Sequence, residues 1–142
     1  MHFVSELLAD KGRHIFAVHP NSTVLEAIRE MDRHGVGALL VIDSDELVGI
    51  VSERDYARRG ILKGRKSDST KVGEIMTREL ITADLHGTID ECMGQMTEQR
   101  VRHLPVLEEG QVVGVVSIGD LVRVILARQA STIEQLSSYI KG

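Results

Sequence analysis

The chain has 142 residues and a formal net charge of −4, long enough to bury a core without disulfide or metal staples and too acidic for a broad nucleic-acid footprint. No apolar run approaches the ~20 residues needed to span a bilayer, and Met1 to Asp10 lacks the basic and apolar regions of a signal peptide, so a soluble, cytoplasmic protein without a membrane partner is expected. The lone Cys92 excludes an internal disulfide and, at an apolar helical spacing, reads as a buried structural thiol in a reducing compartment.

In chain order, residues 3–11 read as a lead-in helix and Ile15 to Val18 as a short strand. Thr23-x-x-Glu26 is a capping box that opens a helix, with Val24, Ala27, Ile28 and Met31 at core spacing. Ala38 to Ile42 and Leu47 to Ser52 form a hairpin about the polar turn Asp43-Ser44-Asp45-Glu46. A second helix begins beyond Ser52. Gly64 to Lys71 reads as an exposed linker, in which Lys66 joins Lys63 and Arg65 as a solvated basic patch, and Val72 to Met76 is a short counterpart of the lead-in helix.

The same order then recurs. Leu80 to Thr82 is a strand, Thr88-x-x-Glu91 caps a helix carrying Ile89, Cys92, Met93 and Met96, and His103 to Leu107 pairs with Val112 to Ser117 about Glu108-Glu109-Gly110-Gln111. A shift of 65 positions aligns residues 17–58 with 82–123 without a gap. Two copies of one β-α-β-β-α unit follow, each too small to cover both faces of its three-stranded sheet, so the copies are expected to pack sheet against sheet. Ile133, Leu136 and Ile140 in the tail from Thr132 to Lys141 lie three and four apart, which suits capping of the body or support of a dimer.

The segments Gly49-Ile50-Val51-Ser52-Glu53-Arg54-Asp55 and Gly114-Val115-Val116-Ser117-Ile118-Gly119-Asp120 share the pattern Gly-h-h-Ser-x-x-Asp, where h is apolar. Ser-x-x-Asp is itself a capping box, sufficient as a purely structural device. It also sets a hydroxyl, free N–H groups and a carboxylate at a helix mouth, where a phosphate and two vicinal hydroxyls of a nucleoside find partners.

The doubled motif, the repeat length, V-S-E-R-D-Y-A-R in the first copy, V-R-H-L-P-V in the second and V-G-E-I-M-T between them resemble a CBS-domain pair (Bateman module) over nearly the whole chain. The resemblance implies an α/β (α+β) fold, a tandem pair of β-α-β-β-α repeats packed sheet to sheet with pseudo-two-fold symmetry. It divides residues 1–142, a single CBS-pair domain, into repeat 1 (12–62), linker and short helix (63–76), repeat 2 (77–130) and a C-terminal helix (131–142). It also implies a regulatory module that binds an adenine nucleotide in clefts between the repeats and catalyses nothing. AMP comes first, with ADP, ATP, NAD(H) and S-adenosylmethionine sharing its adenosyl group.

By that resemblance Ser52 and Asp55 serve one cleft, Ser117 and Asp120 the other. Val36, Gly37, Ala38, Val101, Arg102 and His103 complete the pockets, and Phe16, Ala17, Ile81 and Ala83 contact the base. Arg54 stands one residue before its Asp where the second copy has Gly119, and Arg102-His103 stands where the first has Gly37-Ala38, so the two sites should differ in affinity. A homodimer is implied, formed through the second helices (Tyr56, Ile61; Leu121, Val124, Ile125), together with an effector protein the sequence does not identify.

Two alternatives stand beside this reading. A scaffold that has lost its ligands retains both motifs as helix caps. An enzyme is disfavoured because the motif Ser lacks a Gly-x-Ser-x-Gly elbow and the chain has no P-loop or Rossmann fingerprint. The six histidines show no zinc-helix spacing, and no metal is expected.

Overall fold

The computed structural model describes residues 1–141. Its elements are α1 (Val4–Lys11), β1 (Ala17–Val18), α2 (Val24–His34), β2 (Ala38–Asp43), β3 (Glu46–Ser52), α3 (Glu53–Asp55), α4 (Val72–Ile75), β4 (Ala83–Asp84), α5 (Ile89–Gln99), β5 (His103–Glu108), β6 (Gln111–Ser117) and α6 (Ile118–Lys141). They divide into two units, residues 14–80 and residues 1–13 with 81–142. Each unit is a three-stranded sheet, β1-β2-β3 or β4-β5-β6, with a parallel first pair and an antiparallel second pair.

The capping boxes start their helices where the sequence places them. Thr23 and Thr88 lie in extended backbone and accept the N–H of Glu26 and Glu91, each at 3.1 Å. Both hairpins close through two residues at positive φ, Ser44 (51°) with Asp45 (65°) and Glu109 (51°) with Gly110 (79°). That twist matches the flanking strands.

In the unit of residues 14–80, Val24, Ala27 and Met31 of α2 pack with Leu39, Val41 and Val51 of the sheet and with Val72, Ile75 and Met76. In the other, Ile89, Cys92 and Met96 of α5 pack with Leu104, Val106, Val116, Leu121 and Val124, and α1 adds Val4, Leu7 and Leu8. The lead-in helices are thus exchanged relative to chain order: α1 completes the core of the second copy, and α4 that of the first. Burial pushes the Cys92 thiol up to about 11, with Glu91 adding to it.

Three elements differ from the sequence expectation. The first strand of the second copy is Ala83–Asp84 instead of Leu80–Thr82. In the first copy the Leu40 N–H donates to Phe16 O at 3.0 Å. The counterpart of Leu40 is Pro105, which has no N–H, so pairing starts one residue later, with Ala83 opposite Val106. The second helix of the first copy is one short turn, which widens to π geometry over Tyr56–Gly60 and tightens over Ile61–Lys63. Gly60 and Gly64, the latter left-handed at φ 70°, end it. Their counterparts, Ile125 and Gln129, allow α6 to continue unbroken to Lys141, so the expected tail helix is its distal part; Gly142 of that tail lies outside the described residues.

Candidate functional site

Each Gly-h-h-Ser-x-x-Asp segment runs from a sheet strand into a helix, and its first residue has a packing role. A Cβ on Gly49 would meet Met76 Sδ and the Thr77 carbonyl oxygen at 2.9 Å, and one on Gly114 would meet Leu8 Cδ1 at 2.9 Å. The motif glycines admit the exchanged segments against the sheets, and V-G-E-I-M-T supplies Met76 and Thr77 for that contact. Thr77 is fixed there by reciprocal backbone bonds with Ile50, 2.8 and 3.0 Å.

In the first copy Ser52 and Asp55 cap each other. Ser52 Oγ accepts the Asp55 N–H at 3.1 Å, and Asp55 Oδ2 accepts the Ser52 N–H at 2.9 Å and the Ser52 hydroxyl at 3.0 Å. The Thr77 hydroxyl donates to Asp55 Oδ1 at 3.3 Å. Ala38 lies opposite Ser52 in the ladder, and the Gly37 carbonyl accepts the Glu53 N–H at 3.1 Å. The fold therefore brings Gly37, Ala38, Ser52 and Asp55 to one strand-to-helix mouth, with Val36 half-buried before them and Arg54 exposed on α3.

Ala17 opens the parallel strand β1, and Phe16 immediately precedes it. The Phe16 ring is stacked on His34, centroids 3.9 Å apart, with His14 beyond it at 6.0 Å. Its aromatic face is taken by His34, a residue the sequence reading left among the surface histidines.

The second copy builds the same mouth with different charge. Asp120 Oδ2 accepts the Ser117 N–H at 2.9 Å, and Ser117 Oγ accepts the Asp120 N–H at 3.2 Å. His103 lies opposite Ser117, and the Arg102 carbonyl accepts the Ile118 N–H at 2.8 Å. Val101 is half-buried and Arg102 exposed; Ile81 is half-buried and Ala83 buried on β4. A Cβ on Gly119 would meet only Arg123 and Ser117 side-chain atoms, at 3.6 and 3.7 Å.

Two cations hold Asp120. Lys11 of α1 donates to its Oδ2 at 2.7 Å and to the Val115 carbonyl at 2.9 Å, and Arg123 donates to Oδ1. The Asp120 side chain is only 5% exposed. That burial would raise its carboxyl, but the Lys11 ammonium and the Ser117 N–H outweigh it and hold the group below the usual carboxylate range. Burial pushes His103 the other way, below its usual value; Asp120 opposes this, while Lys11 and Arg102 reinforce it.

Lys11, Asp120 and Arg123 line a cleft of about 670 Å³ between α1 and α6, with Arg128, Thr132 and Gln135 further along. Arg128 is tied to Asp90 and the Met1 carbonyl. Lys11 escaped the sequence reading because it stands outside the repeat; only the exchange of α1 puts it here. A carboxylate accepts about four hydrogen bonds, and each motif Asp already receives three. Room remains for one ligand hydroxyl, and a second requires Lys11, Arg123 or Thr77 to yield.

Among the described residues no group of three or more His, Cys, Asp or Glu is placed to hold a metal ion, and no helix is long and apolar enough to cross a membrane.

The sequence profile of the CBS domain matches residues 4–61 and 72–127. The CBS domain-containing protein CBSX3, mitochondrial, of Arabidopsis thaliana is 43% identical over 127 residues, 86% of this chain and 62% of that protein; the chain thus spans under two thirds of its relative's length. The structure of a putative signal-transduction protein with CBS domains from Burkholderia ambifaria MC40-6 superposes with a TM-score of 0.85 at 47% identity, covering 91% of this chain and 96% of that one. The CBS domain pair of protein MJ0100, solved in complex with 5-methylthioadenosine and S-adenosyl-L-methionine, superposes with a TM-score of 0.77 at 26% identity, covering 89% and 97%. With two profile matches and two copies of one folded unit, the chain belongs to the CBS-domain family.

Proposed function

We propose that this chain is a non-catalytic sensory module that binds an adenine nucleotide at its Ser-x-x-Asp mouths and passes the bound state to an effector protein. The observation that carries the reading is the Asp120 mouth. A buried carboxylate held ionised suits the ribose hydroxyls, and Lys11 and Arg123 beside it suit a phosphate, at a cleft whose volume is in the range of small-molecule sites. The adenosyl ligands of MJ0100 support the same ligand class. AMP is placed first because one ribose and one phosphate match one carboxylate and two cations; ADP, ATP, NAD(H) and S-adenosylmethionine share the adenosyl group. The module acts as a homodimer.

Thermal unfolding of ligand-stripped protein against AMP, ADP, ATP, NAD⁺, NADH and S-adenosylmethionine tests this. A ligand at 100 times its dissociation constant adds about 2.7 kcal/mol, a rise of several degrees for a chain of this size. No rise with any of them returns both motifs to helix capping and favours a scaffold.

A further inference from the structure

Lys11 does at the second mouth what Thr77 does at the first, with different chemistry. At the first, the Thr77 N–H donates to the Ile50 carbonyl at 2.8 Å and its hydroxyl to Asp55 Oδ1 at 3.3 Å. Val115 and Asp120 are the counterparts of Ile50 and Asp55, and one group, the Lys11 ammonium, donates to both, to the Val115 carbonyl at 2.9 Å and to Asp120 Oδ2 at 2.7 Å. A neutral residue fixed by its own backbone is replaced by a charge on a flexible stem. That changes what opens the mouth. Each carboxylate oxygen accepts about two hydrogen bonds. Asp55 Oδ2 is filled by the Ser52 N–H and the Ser52 hydroxyl, and the hydroxyl turns toward a ligand without uncovering a charge. Asp120 Oδ2 is filled by the Ser117 N–H and Lys11. The N–H is fixed by the turn into α6, whereas Oδ1 has room beside Arg123, so a vicinal diol that engages both oxygens takes Oδ2 only as Lys11 withdraws. Withdrawal strips a cation from a carboxylate that is 5% exposed, which is costly unless the ammonium meets another anion.

We propose that Lys11 selects ligands at the Asp120 mouth by charge: it holds the carboxylate in the place of a ribose hydroxyl and gives way to a nucleoside that brings its own phosphate, to which the ammonium transfers its hydrogen bond. The inference rests on the nucleotide-binding reading of that mouth and adds the residue that sets its selectivity. An uncharged nucleoside offers Lys11 no such acceptor, so its binding leaves the ammonium without an anion. The Asp55 mouth, held by hydroxyls and an N–H, imposes no such requirement.

Calorimetric titration of the ligand-stripped Asp55→Ala variant with AMP and with adenosine reads the Asp120 mouth by itself. AMP should bind at least about tenfold more tightly than adenosine, the scale of one charge-assisted hydrogen bond. Adding Lys11→Met should strengthen adenosine, weaken AMP and bring the two within about threefold, with unchanged circular dichroism. Lys11→Gln, which keeps a donor and loses only the charge, repeats the test without an apolar side chain at a part-exposed position and should give the same narrowed ratio. Lys11 variants that weaken both ligands equally, so that their ratio stays as before, overturn the selection and leave the nucleotide reading standing; no saturable binding of either ligand to the wild type overturns both.

Discussion

Lys11 of α1 donates to Asp120 at the start of α6 across 2.7 Å, joining groups 109 positions apart in the chain. Asp120 is buried and its partner is a third exposed, so the pair is worth more than a surface ion pair but is partly screened. Lys11→Met should lower stability by about 1–2 kcal/mol at pH 7, measured by urea unfolding. The pH dependence has a defined sign. A carboxyl held below its unfolded value contributes stability that is complete above about pH 4 and lost as pH falls through the lowered value. In Lys11→Met burial is opposed less, so the carboxyl lies closer to its unfolded value and the loss of stability in acid should be smaller than in the wild type.

His103 sets an earlier step. Burial keeps its imidazole neutral in the fold, so the unfolded chain binds the proton first and stability declines as pH drops below about 6.5. His103→Gln should flatten the decline of stability that sets in below about pH 6.5, ahead of the carboxylate step. Urea midpoints taken at half-unit pH intervals read both steps.

The two motif glycines should differ in tolerance. Gly49→Ala drives a methyl against the Thr77 carbonyl oxygen, whereas Gly114→Ala meets the end of the Leu8 side chain, which has rotamers to use. Gly49→Ala should cost about 1–3 kcal/mol and Gly114→Ala less. Equal midpoints for the two variants would contradict the packing role.

Arg100 ends α5 in the left-handed region at φ 56°, where its counterpart in α2 is Gly35 at φ 64°. Arg100→Gly relieves that strain and should stabilise the protein by up to about 1 kcal/mol, the added freedom of the unfolded chain offsetting part of the gain. Thermal unfolding of the variant, with a midpoint no higher than wild type, would count against it.

What the sequence disclosed was local. Capping boxes at Thr23 and Thr88, the hairpin turns and the strand-to-helix motifs each depend on residues within a few positions, and Ser52 with Asp55, and Ser117 with Asp120, lie together as their spacing implies. What it hid was long-range. Pro105 shifts β4 by one residue because it has no N–H to donate to that strand, and Lys11 reaches Asp120 only because α1 joins the distant copy. His34 was hidden likewise, since its stack on Phe16 joins the end of α2 to the start of β1.

The charge difference between the mouths separates the two sites. Asp120 carries Lys11 and Arg123, and Asp55 carries the neutral Thr77 hydroxyl. A phosphate-bearing ligand should therefore prefer the Asp120 mouth by about tenfold or more, the scale of one charge-assisted hydrogen bond. Calorimetric titration of ligand-stripped wild type, Asp55→Ala and Asp120→Ala with AMP and its adenosyl relatives tests the account most directly. The account predicts saturable binding whose tighter phase disappears in Asp120→Ala and persists in Asp55→Ala; no saturable heat with any adenosyl compound, or identical isotherms for all three proteins, would contradict it.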